Sequence, residues 1–186
     1  MAVVYRGSMG TPRIAPGRLT DLGLANWAFA KAAAKVIGVT DAHIFSTLGR
    51  SRGLFRAWLH YSARLMPFGT LSRKDSEMVI LRVATLRGSE YELDHHRRIG
   101  KRAGIDESEL ARIQEGPDAG WGDRERTILR AVDQLVEEKD INDIAWAGLR
   151  RHLDERAAIA FVLLVGQYDS LATTLHTLRV QRDTRG

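Results

Sequence analysis

From residue 20 onward, apolar positions recur every three and four residues, and alternating β-branched runs are few. The pattern predicts helices almost throughout. "TDLGLANWAFAKAAAKVIG" opens at Thr20 or Asp21 as a cap and stops at Gly38. "DAHIFSTLGRS" makes a short helix, and "GLFRAWLHYSARLM" (53–66) an amphipathic one that ends before Pro67. "LSRKDSEMVILRVATLRG" takes Ser72 as N-cap with Asp75 in its first turn, turns Met78, Leu81, Ala84 and Thr85 inward, and ends or kinks at Gly88. The next helix runs from 89 to about 103, with Gly104 in the place of a left-handed C-cap. "DESELARIQEG" follows, capped by Asp106, and "EGPDAGWG" (115–122) is the clear break between two helical halves.

The second half repeats the theme. "DRERTILRAVDQLVEEKD" carries an apolar stripe of Ile128, Val132, Leu135 and Val136, and "INDIAWAGLRRHL" follows it. The long "DERAAIAFVLLVGQYDSLATTLHTL" is interrupted by Gly166, a residue that costs about 1 kcal/mol against Ala in a helix interior and so suggests close helix contact there. Residues 1–19 show no such period, and their glycines and prolines predict an extended arm that can lie on a neighbouring subunit. The expected fold class is all-α, a single-domain helical bundle over 20–182 behind the arm 1–19.

Composition narrows the chemistry. The 186 residues contain no cysteine, which removes disulfides, thiolate ligation and thiol redox cycling from this chain's own repertoire. The formal charge is +5, but the basic residues are scattered, and the one dense cluster, "RRIGKR" (97–102), falls late in a helix where cations complement the dipole. No nucleic-acid-binding signature accompanies it, so no nucleic-acid partner is expected. The longest apolar run, "AAIAFVLLV" (157–165), is short of the roughly 20 residues a membrane span needs, and the start lacks a signal-peptide run. The expectation is a soluble, cytoplasmic protein without membrane contact.

One stretch concentrates reactive side chains. In "SEYELDHHRR" (89–98), Ser89, Glu92 and His96 fall at i, i+3 and i+7 and share a helix face. Glu92 stands one turn before His96, where a carboxylate can hydrogen-bond the imidazole, orient it and favour its charged form. Tyr91 and His95 are likewise four apart, on the adjacent strip. Spacing alone favours a solvated polar face over a catalytic one. "ELDH" is an E-x-x-H motif, but helical di-iron sites need two such motifs and two further glutamates. None of His43, His60, His152 and His176 has Glu three residues before it, so neither a metal nor a cofactor is expected.

The order of residues in "LSRKDSEMVILRVATLRGSEYELDHHRRIGKRAGIDESELARI", with its motif core at 72–113, resembles the carboxymuconolactone decarboxylase family of the alkylhydroperoxidase D-like superfamily. A looser resemblance runs over 40–180 and includes "GQYDSLA" (166–172). In the peroxidase branch a C-x-x-C pair precedes a histidine, and a glutamate stands on the preceding helix. That pattern places the glutamate on Glu77, the histidine on His96 and the two cysteine positions on Ser89 and Glu92. With both cysteines replaced, the resemblance implies no cysteine-dependent peroxidase activity. It implies non-redox acid/base chemistry, by a lyase or a hydrolase or isomerase, on a small lactone or carboxylated compound. Catalysis falls to His96, Glu92 and Glu77. Substrate binding falls to Tyr91, Ser89, His95 and Arg82, with Arg82 or Arg97 for a substrate carboxylate. Tyr168 and Trp121 rank lower. The alternative is a binding or scaffold homologue that kept the fold without turnover, and a relative that borrows a partner's thiol ranks last. The resemblance also implies a homo-oligomer: a dimer, trimer or hexamer.

Overall fold

The computed structural model describes residues 10–183. The helices are α1 (Leu19–Leu22), α2 (Leu24–Ile37), α3 (His43–Leu48), α4 (Gly53–Leu65), α5 (Arg73–Leu86), α6 (Glu90–Arg102), α7 (Glu107–Glu115), α8 (Asp123–Glu137), α9 (Asp143–Arg150) and α10 (Glu155–Leu178). A 3₁₀ turn at Gly49–Ser51 joins α3 to α4. No strand occurs among the described residues, and the chain is all-α.

The packing divides the expected domain 20–182 into two compact units. Among the described residues one unit spans 63–173, and the other combines 10–62 with 174–183. The loop 115–122, read from sequence as the break between halves, lies inside the first unit. A Gly/Pro loop marks the end of helices, not the edge of a core.

In the second unit, Phe29, Phe45 and Phe55 form an aromatic cluster with centroids 5.3 to 6.3 Å apart. The buried Asn26 amide donates to the carbonyls of Gly49 (3.1 Å) and Arg52 (3.3 Å), satisfying the exit of the 3₁₀ turn. Residues 10–18 lie on this same unit. Arg13 N donates to Leu178 O, Gly17 N to Ser46 O, and Arg50 Nε to Ala15 O, at 2.8–3.0 Å. This stretch of the expected arm therefore binds its own chain, while residues 1–9 lie outside the described residues. One helix expected from 20 to 37 is broken at Gly23, whose φ of 76° is open to glycine and strained for other residues.

In the 63–173 unit, α5 packs against α6, α7 and α8, and α9 packs on α8. Ser72 caps α5 as expected: its hydroxyl accepts from Asp75 N at 3.0 Å and donates to Asp75 Oδ2 at 2.7 Å. Asp106 and Glu109 close a capping box on α7. The inward face expected for α5 is too narrow, because every residue from Asp75 to Ala84 is buried. Three of these are charged: Asp75, which Arg124 matches, and the deeper Glu77 and Arg82.

Arg82, expected at the substrate, is instead engaged inside the fold. Its Nε and Nη2 hold Asp133 Oδ1 and Oδ2 at 2.7 and 2.8 Å, and its Nη1 donates to the carbonyls of Ile113 and Gln114 at 3.1 and 2.9 Å. Those carbonyls end α7 and have no partner within the helix. The guanidinium passes close to Gly116, where a Cβ would stand 3.1 Å from Nη2, and Gly116 has a φ of 130°. One side chain thus ties α5 to α7 and α8.

α10 is long and apolar enough to cross a membrane by length and composition, with 39% of its apolar window buried in the fold. Its buried face carries Phe161, Leu164, Val165, Tyr168, Leu171 and Ala172, and Asp169 within it pairs with Arg87 and Lys139. Gly166 does not mark close helix contact, since a Cβ there would meet nothing within 4 Å.

Arg82→Met should cost about 3–5 kcal/mol, because it strands a partly buried carboxylate and two helix-end carbonyls. Urea denaturation of variant and wild type measures this, and a loss under about 1 kcal/mol would show the clasp to be unimportant.

Candidate functional site

The turn between α5 and α6 positions the reactive side chains. Gly88, at φ 59°, reverses the chain, and Ser89 N bonds back to Ala84 O at 2.8 Å. α6 then packs along α5. This brings His96 to Glu77: Nδ1 and Oε2 are 2.7 Å apart, both side chains being almost wholly buried. The local reading paired His96 with Glu92, one turn away. Its partner is instead Glu77, nineteen residues earlier, and no hydrogen bond closes on either Glu92 oxygen. The remaining Glu77 oxygen, Oε1, also lacks a hydrogen bond, although Arg73 Nη2 lies 3.6 Å from it.

Glu92 is 2% exposed. Burial pushes its carboxyl from the ordinary 4.5 to about 8, with Asp169 adding a smaller push in the same direction. The Ser89 hydroxyl lies near enough to pull the other way, but not in bonding geometry. At neutral pH Glu92 is therefore mainly a neutral acid inside the fold, with a proton to give.

Tyr168 completes the group. Its ring meets His96 edge-on, with centroids 5.1 Å apart at 86°. Burial, followed by the charges of Glu77 and Glu92, holds its phenol well above the usual range, so it stays a hydroxyl donor. The sequence ranked Tyr168 low because an aromatic near a helix kink is more often core or interface than substrate contact. Arg73 was missed altogether, although its place four residues before Glu77 was a readable signal.

The remaining expected residues fall elsewhere. Tyr91 is buried and stacks on His95 at 4.7 Å and 22°, so the two face each other. Ser89 is the N-cap residue of α6, without a side-chain cap bond. Arg97 pairs with Glu107 at the surface. Among the described residues no group of three or more His, Asp or Glu side chains is placed to hold a metal ion.

Chemically, the arrangement is an oriented imidazole, a buried neutral carboxylic acid and a phenol, with no sulfur. It can move protons and cannot cycle electrons through a thiol.

Comparison with known proteins bears on the fold. Residues 52–134 match the model of the carboxymuconolactone decarboxylase family. No curated protein matches the sequence. Among solved structures, an alkylhydroperoxidase AhpD core, an uncharacterized peroxidase-related protein from Ralstonia eutropha, is 16% identical with a TM-score of 0.80. That match covers 92% of each chain. A cysteine-to-alanine variant of the debrominase Bmp8 in complex with 2,3,4-tribromopyrrole is 15% identical, with a TM-score of 0.74 and 90% of each chain covered. A protein of unknown function from Agrobacterium tumefaciens, described as a putative antioxidant defence protein AhpD, is 18% identical. Its TM-score is 0.64, covering 72% of this chain and 92% of its own. At these identities the likeness is one of fold.

The elevated Glu92 carboxyl sets a pH dependence. Between 4.5 and about 8 the unfolded chain ionises while the folded chain keeps the proton. Glu92's contribution is thus fully present below 4.5 and is lost by about 1.4 kcal/mol per pH unit as pH rises towards 8. Glu92→Gln removes this slope. Its stability relative to wild type should climb from pH 5 to pH 8 and level off above, and a gap independent of pH would show that Glu92 ionises normally.

Proposed function

We propose non-redox acid/base catalysis on a small lactone or carboxylated compound, a reading supported by the match of residues 52–134 to the model of the carboxymuconolactone decarboxylase family. The observation that carries this reading is the buried His96–Glu77 pair, 2.7 Å apart, beside the neutral acid Glu92. Glu77 accepts from Nδ1–H, fixing the ring and leaving Nε2 as the atom that exchanges a proton with substrate. In a decarboxylation the substrate carboxylate leaves as CO₂. The electron pair left behind is captured at carbon by a proton from His96 or Glu92, and solvent restores that proton. Isomerisation or hydrolysis of a lactone would use the same base and acid.

Arg73, with its guanidinium 3.6 Å from Glu77 Oε1 and 41% exposed, replaces Arg82 as the cation for a substrate carboxylate. Tyr168 supplies a hydrogen bond. A second reading, a binding homologue without turnover, draws support from burial: with Glu77 0% and His96 7% exposed, a substrate must open the site to reach it. We also place the protein in the cytoplasm as a homo-oligomer. Support for assembly comes from the exposed apolar side chains Ile144 on α9 and Ile159, Val162 and Leu163 on α10.

Assays of CO₂ release across a panel of carboxylated lactones test the reading. His96→Ala should lose about 10²–10⁴-fold in kcat, the usual worth of a positioned acid/base group, with Glu77→Gln less affected. Equal rates in wild type and His96→Ala would remove the pair from the mechanism, and no turnover by the wild type would favour the binding reading. Light scattering should give a mass of two or more chains, falling when Ile144 and Leu163 are changed to Asp. A monomeric wild type would contradict assembly.

A further inference from the structure

A cleft of about 470 Å³ opens within the 63–173 unit, lined by the first turns of α5, by α7 and by the loop leading into α8. Its size is that of a small-molecule site. Apolar walls come from Met78, Ile105 and Ile113.

Most of its charges are already matched. Lys74 Nζ lies 2.7 Å from Glu109 Oε1, and Arg124 holds Asp75 with two bonds of 2.7 Å. Glu125 folds back over Gly122, the N-cap of α8, where a Cβ would stand 3.0 Å from its Oε2. Its carboxylate thus sits over the positive end of its own helix.

Arg112 is different. Its guanidinium lies 3.8 Å from the centroid of the Trp121 ring, and its Nε is buried without an acceptor. Trp121 is itself fixed, its indole N–H donating to Gly116 O at 3.0 Å. A held guanidinium with an unused buried donor lacks the acceptor that such groups ordinarily have. A carboxylate matches a guanidinium fork in shape and charge.

We propose that this cleft binds a small aromatic carboxylate, with Arg112 taking the anion and Trp121, Met78 and Ile113 the ring. The site is separate from the Glu77–His96 pair and stands whether or not that pair turns over a substrate.

Indole N–H resonances read the binding directly. Of four tryptophans, Trp121 is identified by the signal that Trp121→Phe removes. Naphthalene-1-carboxylate should shift that signal saturably, and naphthalene-1-carboxamide should bind at least about tenfold more weakly. Arg112→Met should abolish the preference, with the other three indole signals unmoved as a check on folding. His96→Ala should leave it intact. Equal affinity for the two probes in wild type overturns the proposal without requiring any variant to fold, and an unmoved Trp121 signal overturns it as well. A preference that survives Arg112→Met removes Arg112 from recognition, and one lost in His96→Ala moves the probe to the other site.

Discussion

The packing of α6, α7 and α8 is arranged around a helix whose middle is buried on all sides and still carries charge. α5 holds Glu77 and Arg82 deep inside ten consecutive buried residues, with Asp75 at their outer end matched by Arg124. A charge taken out of water is costly unless paired and hydrogen-bonded. Each therefore dictates a neighbour. Arg82 requires Asp133 on α8 and the last carbonyls of α7. Glu77 requires His96 on α6 and gains Arg73 from its own helix. The same demand that docks three helices on α5 also builds the acid/base pair. The two solutions differ in completeness. Arg82 has its donors engaged in four bonds, while Glu77 keeps an oxygen without a hydrogen bond. Full satisfaction marks a structural clasp. Partial satisfaction marks the place where a substrate or water has something to bond.

Much of this was legible in the chain because helix ends are written locally. Ser72, Asp106, Gly38 and Gly104 did what their residue types require, and the structure puts caps at those places. The interior of α5 was less legible. A helix buried all round has no polar face, so periodicity singles out Met78, Leu81 and Ala84 without revealing that their neighbours are buried as well. The partner of His96 was misread from spacing for a related reason. An i, i+4 rule sees only one helix and nominates Glu92, whereas the actual bond crosses from α6 to α5. Only the family resemblance brought Glu77 to the site. Arg82 was nominated for a substrate by sequence proximity, and nothing short of the folded chain could show α7's carbonyls waiting for it. Gly166 carried an ambiguous signal, since a helix glycine facing open space looks the same in sequence as one that admits a neighbour.

The replacement of a C-x-x-C pair by Ser89 and Glu92, as the resemblance aligns them, changes which kind of particle the site can move. A thiol pair exchanges electrons by making and breaking a disulfide. A hydroxyl and a carboxyl have no accessible oxidation state of that kind, which is why the proposed chemistry is proton transfer. α6 is anchored by the turn at Gly88, the packing of Tyr91 against His95, and the His96–Glu77 bond, none of which needs a cysteine.

The proposed chemistry depends on Glu92 being neutral. Two ionised glutamates, with Asp169 close enough to be felt at Glu92, would gather negative charge about a single imidazole and Arg73. A carboxylated substrate would then meet repulsion on entry. Keeping the proton on Glu92 removes one of those charges and holds a proton near the His96–Glu77 pair, where the proposed reaction would use it. Burial achieves both results at once, since desolvation is the largest cause of the raised carboxyl. It also means that opening the site to water would lower that carboxyl towards its ordinary range and release the proton. Access and acidity are thus coupled: a substrate that enters and excludes water again preserves the acid, while one that leaves the site wet loses it.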